Sequence, residues 1–294
     1  MIDGALIGAA LWPALVNGLT MGAIYALIAL GLTLIYGVLH IINFAHGSLL
    51  MVALYAVLVL FERLGLDPYA ALVVLVPGMF ALGYALQRFV INPARHGRDE
   101  NTLLVTLGLS IVIENLASHF FKTDTRQIET AYTFMMVDVA GATIAMPRLL
   151  ACVGALVSCL VLAVLMRYTD LGRAIRAVAR EAQGARVVGI DVEHVFAMSF
   201  AIGLACLGAA ACFLLPAYYV SPQVGHGFVL VAFTVVVLGG MGSFTGSLVG
   251  GLLVGVIESL GGLLLGESLG QIGVFVVFIA ILLLRPSGLF GHKA

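Results

Sequence analysis

The sequence predicts an all-α polytopic membrane protein of about eight to nine transmembrane helices, some broken or re-entrant, with the N-terminus outside and the C-terminus cytoplasmic. Three observations carry that expectation. Of 294 residues, 62% are hydrophobic and 10% charged, with a mean hydropathy of +1.14; soluble domains carry about 25% charged residues. The charges are segregated, with no Asp, Glu, Lys or Arg between Asp3 and Glu62 or between Glu193 and Glu258. The basic residues fall mostly in alternate loops, which sets an orientation.

Apolar runs lie near 6–37, 41–61, 69–87, 101–121, 148–166, 195–215, 227–260 and 270–284. Crossing hydrocarbon takes roughly 20 helical residues, so most runs are one span each, and a barrel would instead show short alternating segments. The first and seventh runs are too long for one upright helix and contain breakers: Pro13, Asn17 and Gly18 in the first, Gly239-Gly240-Met241-Gly242-Ser243 in the seventh. A surface or tilted opening piece is expected in the first and a broken pair in the seventh. Arg88, Arg95, Arg98, Arg167, Arg173, Arg176, Arg180, Arg186, Arg285 and Lys293 share one set of loops, whereas Arg63, Lys122, Arg126 and Arg148 share the other. The larger set is cytoplasmic by the positive-inside rule. That requires an odd number of crossings, and eight runs give nine if the seventh enters and returns through its glycine-rich turn.

The longest polar intervals, about 122–148 on the periplasmic side and 167–194 in the cytoplasm, are too short to bury cores of their own. A single membrane domain over 1–294 is expected, with no attached enzyme. No basic region precedes the first run, so it is read as a retained span and not a removable signal peptide. The net charge of −1 argues against nucleic acid as a partner. Cys152, Cys159, Cys206 and Cys212 form no CxxC pair and read as packing residues. No GxxxxGK[ST], HExxH or GxSxG pattern occurs, so this chain is expected to bind no nucleotide, metal or other cofactor and to be no enzyme.

Polar groups at membrane depth are costly unless they pair or line a cavity. The segment Gly37 to Ser48 places Asn43, His46, Gly47 and Ser48 between two apolar runs and is a candidate for the transport pathway; the alternative is a short cytoplasmic turn in which Asn43 caps the next helix. Glu114 is the deepest carboxylate of the fourth run and a further pathway candidate. Asn115, His119, Glu258 and Gln271 are read as reaching the interface, and His119 lacks a second ligand at metal spacing. Gly242, Gly246 and Gly250, with Gly239 and Gly240 before them, are read as close helix packing within the subunit or against a second one. Gly251 with Gly255, and Gly18 with Gly22, repeat the four-residue spacing. Arg173, Arg176 and Arg180 recur at three and four and share a helical face, with Ala177, Ala185 and Val188 as small apolar contacts. Such a basic helix fits a partner's groove or anionic lipid.

In Tyr25–Tyr36, Ile42–Gly47, Thr106–Ser110, Gly172–Ile190, Leu238–Ser243 and Arg285–Gly291, the sequence resembles the permeases of branched-chain amino-acid ABC importers, most nearly the H subunit of the leucine/isoleucine/valine system. The resemblance implies a periplasmic or lipid-anchored binding protein, a second homologous permease, two cytoplasmic ATPases that hold ATP and Mg, and a bacterial inner membrane around them. It implies that Arg173 to Asp191 meets an ATPase, with Arg173, Arg176, Arg180, Glu181, Ala185, Gly189, Ile190 and Asp191 in contact. Against the general Glu-Ala-Ala, three residues, Gly motif, this loop has Glu181-Ala182-Gln183 with its glycine at Gly189, two places late. The substrate implied is a branched-chain or other hydrophobic amino acid, and urea, short amides or aromatic and other carboxylates are alternatives within the same architecture. An ATP-independent channel or secondary transporter would need a deep ionisable site, which neither uncharged stretch supplies.

Overall fold

The computed structural model describes residues 4–95, 99–139, 141–266, 269–285 and 288–290. Arg98 and Lys293 of the basic set, and Pro286, Ser287 and Gly291 of the terminal motif, lie outside the described residues. The helices are α1 (Gly4–Leu39), α2 (His46–Leu64), α3 (Leu72–Leu86), α4 (Asn92–Arg95), α5 (Asp99–Phe121), α6 (Met146–Tyr168), α7 (Asp170–Arg180), α8 (Ala182–Val187), α9 (Val192–Leu214), α10 (Val224–Gly239), α11 (Phe244–Leu265) and α12 (Gly270–Leu284). A wider helical turn over Gln87–Ile91 carries α3 into α4. Among the described residues, seven helical spans are long and apolar enough to cross a membrane, and α10 and α12 are shorter apolar helices. The chain is thus an all-α polytopic membrane protein.

Its two ends are chemically distinct. At one, Asn92 donates to Glu193 at 3.3 Å and Tyr84 meets His194 at 3.2 Å, which brings the end of α3 to the start of α9. Arg167, Arg176, Gly37 and Gly242 line one cavity at this Arg-rich end. At the other, Arg148 donates to Asn17 (3.3 Å), Arg126 lies 3.9 Å from Glu62, and the Arg126 and Val220 backbones pair. A small hairpin of β1 (Met136–Val139) and β2 (Ala142–Ala145) sits in this second end; its strands were not anticipated, because four residues in a polar loop give no readable alternation.

The core is built around α1 and α9. Ala23 to Leu30 are buried without interruption, and α9 is enclosed from Phe200 to Leu215 except at Ala205. Both are apolar on every side, as a helix surrounded by other helices must be. In lipid, apolarity alone does not bring helices together, and close van der Waals packing must do so. Small residues supply it: a Cβ at Gly31 would lie 2.7 Å from the Gly203 carbonyl oxygen, and one at Gly22 would lie 2.8 Å from Leu252 Cα.

No break sets off an opening piece, since α1 is one continuous helix of 36 residues. Pro13 lies in its first turns, and Asn17 holds Arg148 and, through its carbonyl, Thr20. Gly18 is a packing glycine and not a breaker, because a Cβ there would lie 2.7 Å from Val256 Cα of α11. The expected break in the seventh run is present: α10 ends at Gly239 and α11 starts at Phe244, with Gly240 at φ 97° and Gly242 at φ 84°. Those values favour glycine. Ser243 caps α11 by accepting from Gly246 N–H at 3.1 Å.

Candidate functional site: a polar seam at membrane depth and an Arg-rich loop

After Leu39 the chain leaves α1 through His40, held at φ 55°, and runs without helix to α2. Asn43 makes the turn: its Oδ1 accepts from Ala45 N–H at 3.1 Å and its carbonyl accepts from His46 N–H at 3.3 Å. His46 is fully buried and donates from Nε2 to the Ile28 carbonyl at 3.1 Å, leaving Nδ1 as an acceptor without a protein partner. Ile28 lies 11 residues before the end of α1, about 16 Å along its axis. The start of α2 is therefore deep within the membrane-spanning layer. A Cβ on Gly47 would lie 2.2 Å from the Gly225 carbonyl oxygen, so the start of α10 reaches the same level. Two helix N-termini, each approached by non-helical backbone, thus meet inside the bundle, an arrangement found where broken helices form transport sites.

A polar seam runs beside them. Glu114 Oε1 accepts from Ser48 at 2.8 Å and from Ser110 at 3.2 Å, and the two hydroxyls are 2.6 Å apart. His226 Nε2 donates to Glu114 Oε2 at 3.1 Å, with the imidazole 62% and the carboxylate 20% exposed. One carboxylate therefore joins α2, α5 and α10, and its imidazole partner opens on an outer face of this subunit. Phe44 stacks on Phe233 at 6.2 Å, and its backbone N–H donates to Thr106 Oγ1 at 3.4 Å. His226 was not singled out in the sequence, since a lone histidine in an uncharged run carries no spacing signal.

The other polar candidates lie apart from the seam. Asn115 donates to its own helix at Ile111, and His119 is exposed, edge-on to Phe120. Glu258 was read as the end of its run, yet α11 continues to Leu265; the carboxylate sits mid-helix beside the Tyr25 hydroxyl. Among the described residues, no group of three His, Cys, Asp or Glu is placed to hold a metal ion.

Of the five marked glycines, three lie at a helix contact. A Cβ at Gly246 would lie 2.0 Å from the Gly239 oxygen, and one at Gly250 would lie 3.1 Å from the Val235 oxygen. Gly240 and Gly242 are outside both helices and shape the turn, so Gly242 does not share a helical face with Gly246 and Gly250. Leu289 and Phe290 donate backbone hydrogen bonds to Leu238 and Gly239 at 2.8 and 3.2 Å and close the turn from the C-terminal side.

At the Arg-rich end, Thr169 ends α6 and starts α7, donating to Leu165 O at 2.6 Å and accepting from Gly172 N–H at 3.1 Å. Gly172, Ile175 and Val178 are buried, while Arg173, Arg176 and Arg180 are exposed. Arg173 pairs with Asp170, and Arg176 reaches the Met166 carbonyl. The loop holds two helices because Glu181 is extended at φ −156° and caps α8, accepting from Gln183 N–H at 3.2 Å. Ala185 is buried. At the far end Gly189 adopts φ 88°, with Gly189 N–H bonded to Arg186 O and Ile190 N–H to Ala185 O, the paired bonds of a glycine-terminated helix. Asp191 then caps α9 through His194 N–H at 3.1 Å. Val187 and Val188, just before the Gly189 stop, are 87% and 75% exposed.

The family described as the branched-chain amino acid transport system permease component matches residues 14–284. The chain is 34% identical to the high-affinity branched-chain amino acid transport system permease protein BraD of Pseudomonas aeruginosa, with 95% of each chain covered. It is 32% identical to the corresponding protein LivH of Escherichia coli, over 94% of each, and 26% identical to a probable branched-chain amino acid transport permease of Methanocaldococcus jannaschii, over 90% of this chain and 88% of that one. No solved structure gives a significant match. A family match over nearly the whole chain, on a bundle of apolar helices with two broken-helix ends at mid-depth, leads to one conclusion: the chain belongs to the branched-chain amino acid transport system permease family.

Proposed function

We propose that the chain is the membrane permease of an ATP-driven importer, passing branched-chain or other hydrophobic amino acids from a periplasmic binding protein to the cytoplasm across a bacterial inner membrane. Family membership over residues 14–284 is the observation that carries this reading. On it the Arg-rich end faces the cytoplasm, as the positive-inside rule predicts, and the hairpin end faces the binding protein. One of the two ATPase subunits meets α7 and α8, with Arg173, Arg176, Arg180 and Glu181 on the charged side and Val187 and Val188 as the apolar contact. Ala185, Gly189, Ile190 and Asp191 hold that contact in shape. ATP and Mg belong to those partners. When their dimer closes, the rigid caps at Thr169 and Asp191 pass the movement to α6 and α9.

The pathway lies on the Ser48–Glu114–His226 face. An ionisable pair turned to hydrocarbon is expensive, so this face is covered by a second permease subunit with a watered passage between the two. Asn43, His46 and Gly47 keep the deep start of α2 fixed at that passage. Weak, transient contacts suit such a route, because a site must also release what it binds.

Affinity purification of the chain from its membrane, followed by mass spectrometry, tests the assembly. Two ATPase chains and a homologous permease are expected to co-purify. A chain that purifies alone and moves solute in liposomes without ATP would contradict the proposal.

A further inference from the structure

A cavity of about 250 Å³ lies where α1, α10, α11 and α12 meet the non-helical stretch before α10. Its walls combine one carboxylate, Glu258, with the aromatic rings of Tyr25, Tyr218 and Phe228 and the first residues of α10, including Val224 and Gly227. Tyr25 and Phe228 meet edge to face at 6.1 Å, and Tyr218 and Phe228 at 5.5 Å, so the aromatic wall is a packed unit. Glu258 is the one Asp, Glu, Lys or Arg in the sequence of α11, and among the described residues no ion pair includes it. Its neighbour is the Tyr25 hydroxyl. The α10 start adds the opposite polarity: no side chain caps that helix, and although the Val224 and His226 amides donate to the Ser221 and Gln223 carbonyls, the dipole of a helix N-terminus favours an anion.

A lone carboxylate, π faces that attract cations, an apolar wall and an uncapped helix start are together complementary to a small zwitterion with an apolar side chain. We infer that this cavity is a binding station of the permease, holding a primary ammonium group at Glu258 and Tyr25 and the attached carboxylate at the first turn of α10. The inference rests on the amino-acid reading above for its ligand, and it names a site separate from the Ser48–Glu114–His226 seam. Gly227 of this cavity and His226 of the seam are consecutive residues near the start of α10.

The test uses the permease purified with its ATPase and permease partners, without the binding protein, in lipid nanodiscs and ligand-detected saturation-transfer NMR. Three probes are applied: L-leucine, 3-methylbutylamine, which keeps the ammonium group alone, and 4-methylpentanoate, which keeps the carboxylate alone. Leucine and the amine are expected to bind the unaltered complex, and Glu258→Gln is expected to weaken both by about tenfold or more, the usual scale for a lost charged hydrogen bond. Gly227→Leu gives an independent block. A Cβ at Gly227, which lines the cavity, meets nothing within 4 Å, so the new side chain starts in open space, and leucine binding should be lost while the complex assembles. Unchanged leucine binding in both variants, or binding of no probe by the unaltered complex, overturns the station. Glu258-dependent binding of the amine without leucine would keep the ammonium site and overturn the amino-acid reading.

Discussion

Replacing Gly246 by alanine isolates the contact that holds α10 against α11. The new Cβ would lie 2.0 Å from the Gly239 carbonyl oxygen, where ordinary contact begins at 3.4 Å, so the two backbones must part by the difference, 1.4 Å. The obstacle is main chain, which cannot swing aside as a side chain can. Overpacking of this kind costs typically about 1–3 kcal/mol, offset by the roughly 0.5–1 kcal/mol that alanine gains over glycine inside a helix. The control is Gly108→Ala in α5, where a Cβ meets nothing within 4 Å and only the helix gain applies. Thermal unfolding of the detergent-purified chain, followed by fluorescence-detected size exclusion, reads the difference. Gly246→Ala should melt several degrees below the unaltered chain and Gly108→Ala at or slightly above it, at about 2–4 °C per kcal/mol for a chain of this order of size. A Gly246→Ala chain as stable as Gly108→Ala would refute the close-approach argument.

Three further outcomes are expected. Arg176→Glu with Arg180→Glu should leave the complex assembled in a pull-down yet cut ATP-driven uptake by about tenfold, since two reversed charges oppose the ATPase surface; normal uptake would remove α7 from the coupling contact. Glu114→Ala should strand Ser48, Ser110 and His226 without their shared acceptor and lower the maximal uptake rate, with the amount of purified complex as the control. Burial, with the hydrogen bond that its hydroxyl donates to Asp67 at 2.9 Å, pushes Tyr132 up to about 12. A phenol whose folded value is raised stabilises fully below the unfolded value, about 10, and that stability is lost as pH rises through about 12. Difference absorbance against Tyr132→Phe should therefore show no Tyr132 phenolate at pH 10.5 and its appearance near pH 12; ionisation with the exposed tyrosines would count against the Asp67 contact.

Much of the fold was legible because a membrane span is written in composition. Each apolar run corresponds to a described helix or, for the seventh, to the pair divided at Gly240, where positive φ values explain why glycine was the visible mark. The same residue type misled at Gly18, since a glycine that breaks a helix and one that admits a neighbouring backbone read alike until Val256 is in view. Glu181 is similar: it continues the polar pattern of a single helix, and only its extended backbone reveals two. The seam was legible in part. Ser48 and Glu114 stand out by chemistry, but their meeting 66 positions apart and the arrival of His226 from α10 depend on how broken helices pack, which no local spacing encodes.

The central claim is that this permease carries an amino acid inward only when partner ATPases close, and release of preloaded radiolabelled L-leucine from proteoliposomes tests it directly. With binding protein inside the vesicles, ATP supplied outside and inside-out permease complex, export of preloaded leucine is the readable equivalent of import. The account predicts leucine flux that requires both ATP and binding protein and stops when either is omitted. Flux that continues at the same rate without ATP would contradict it.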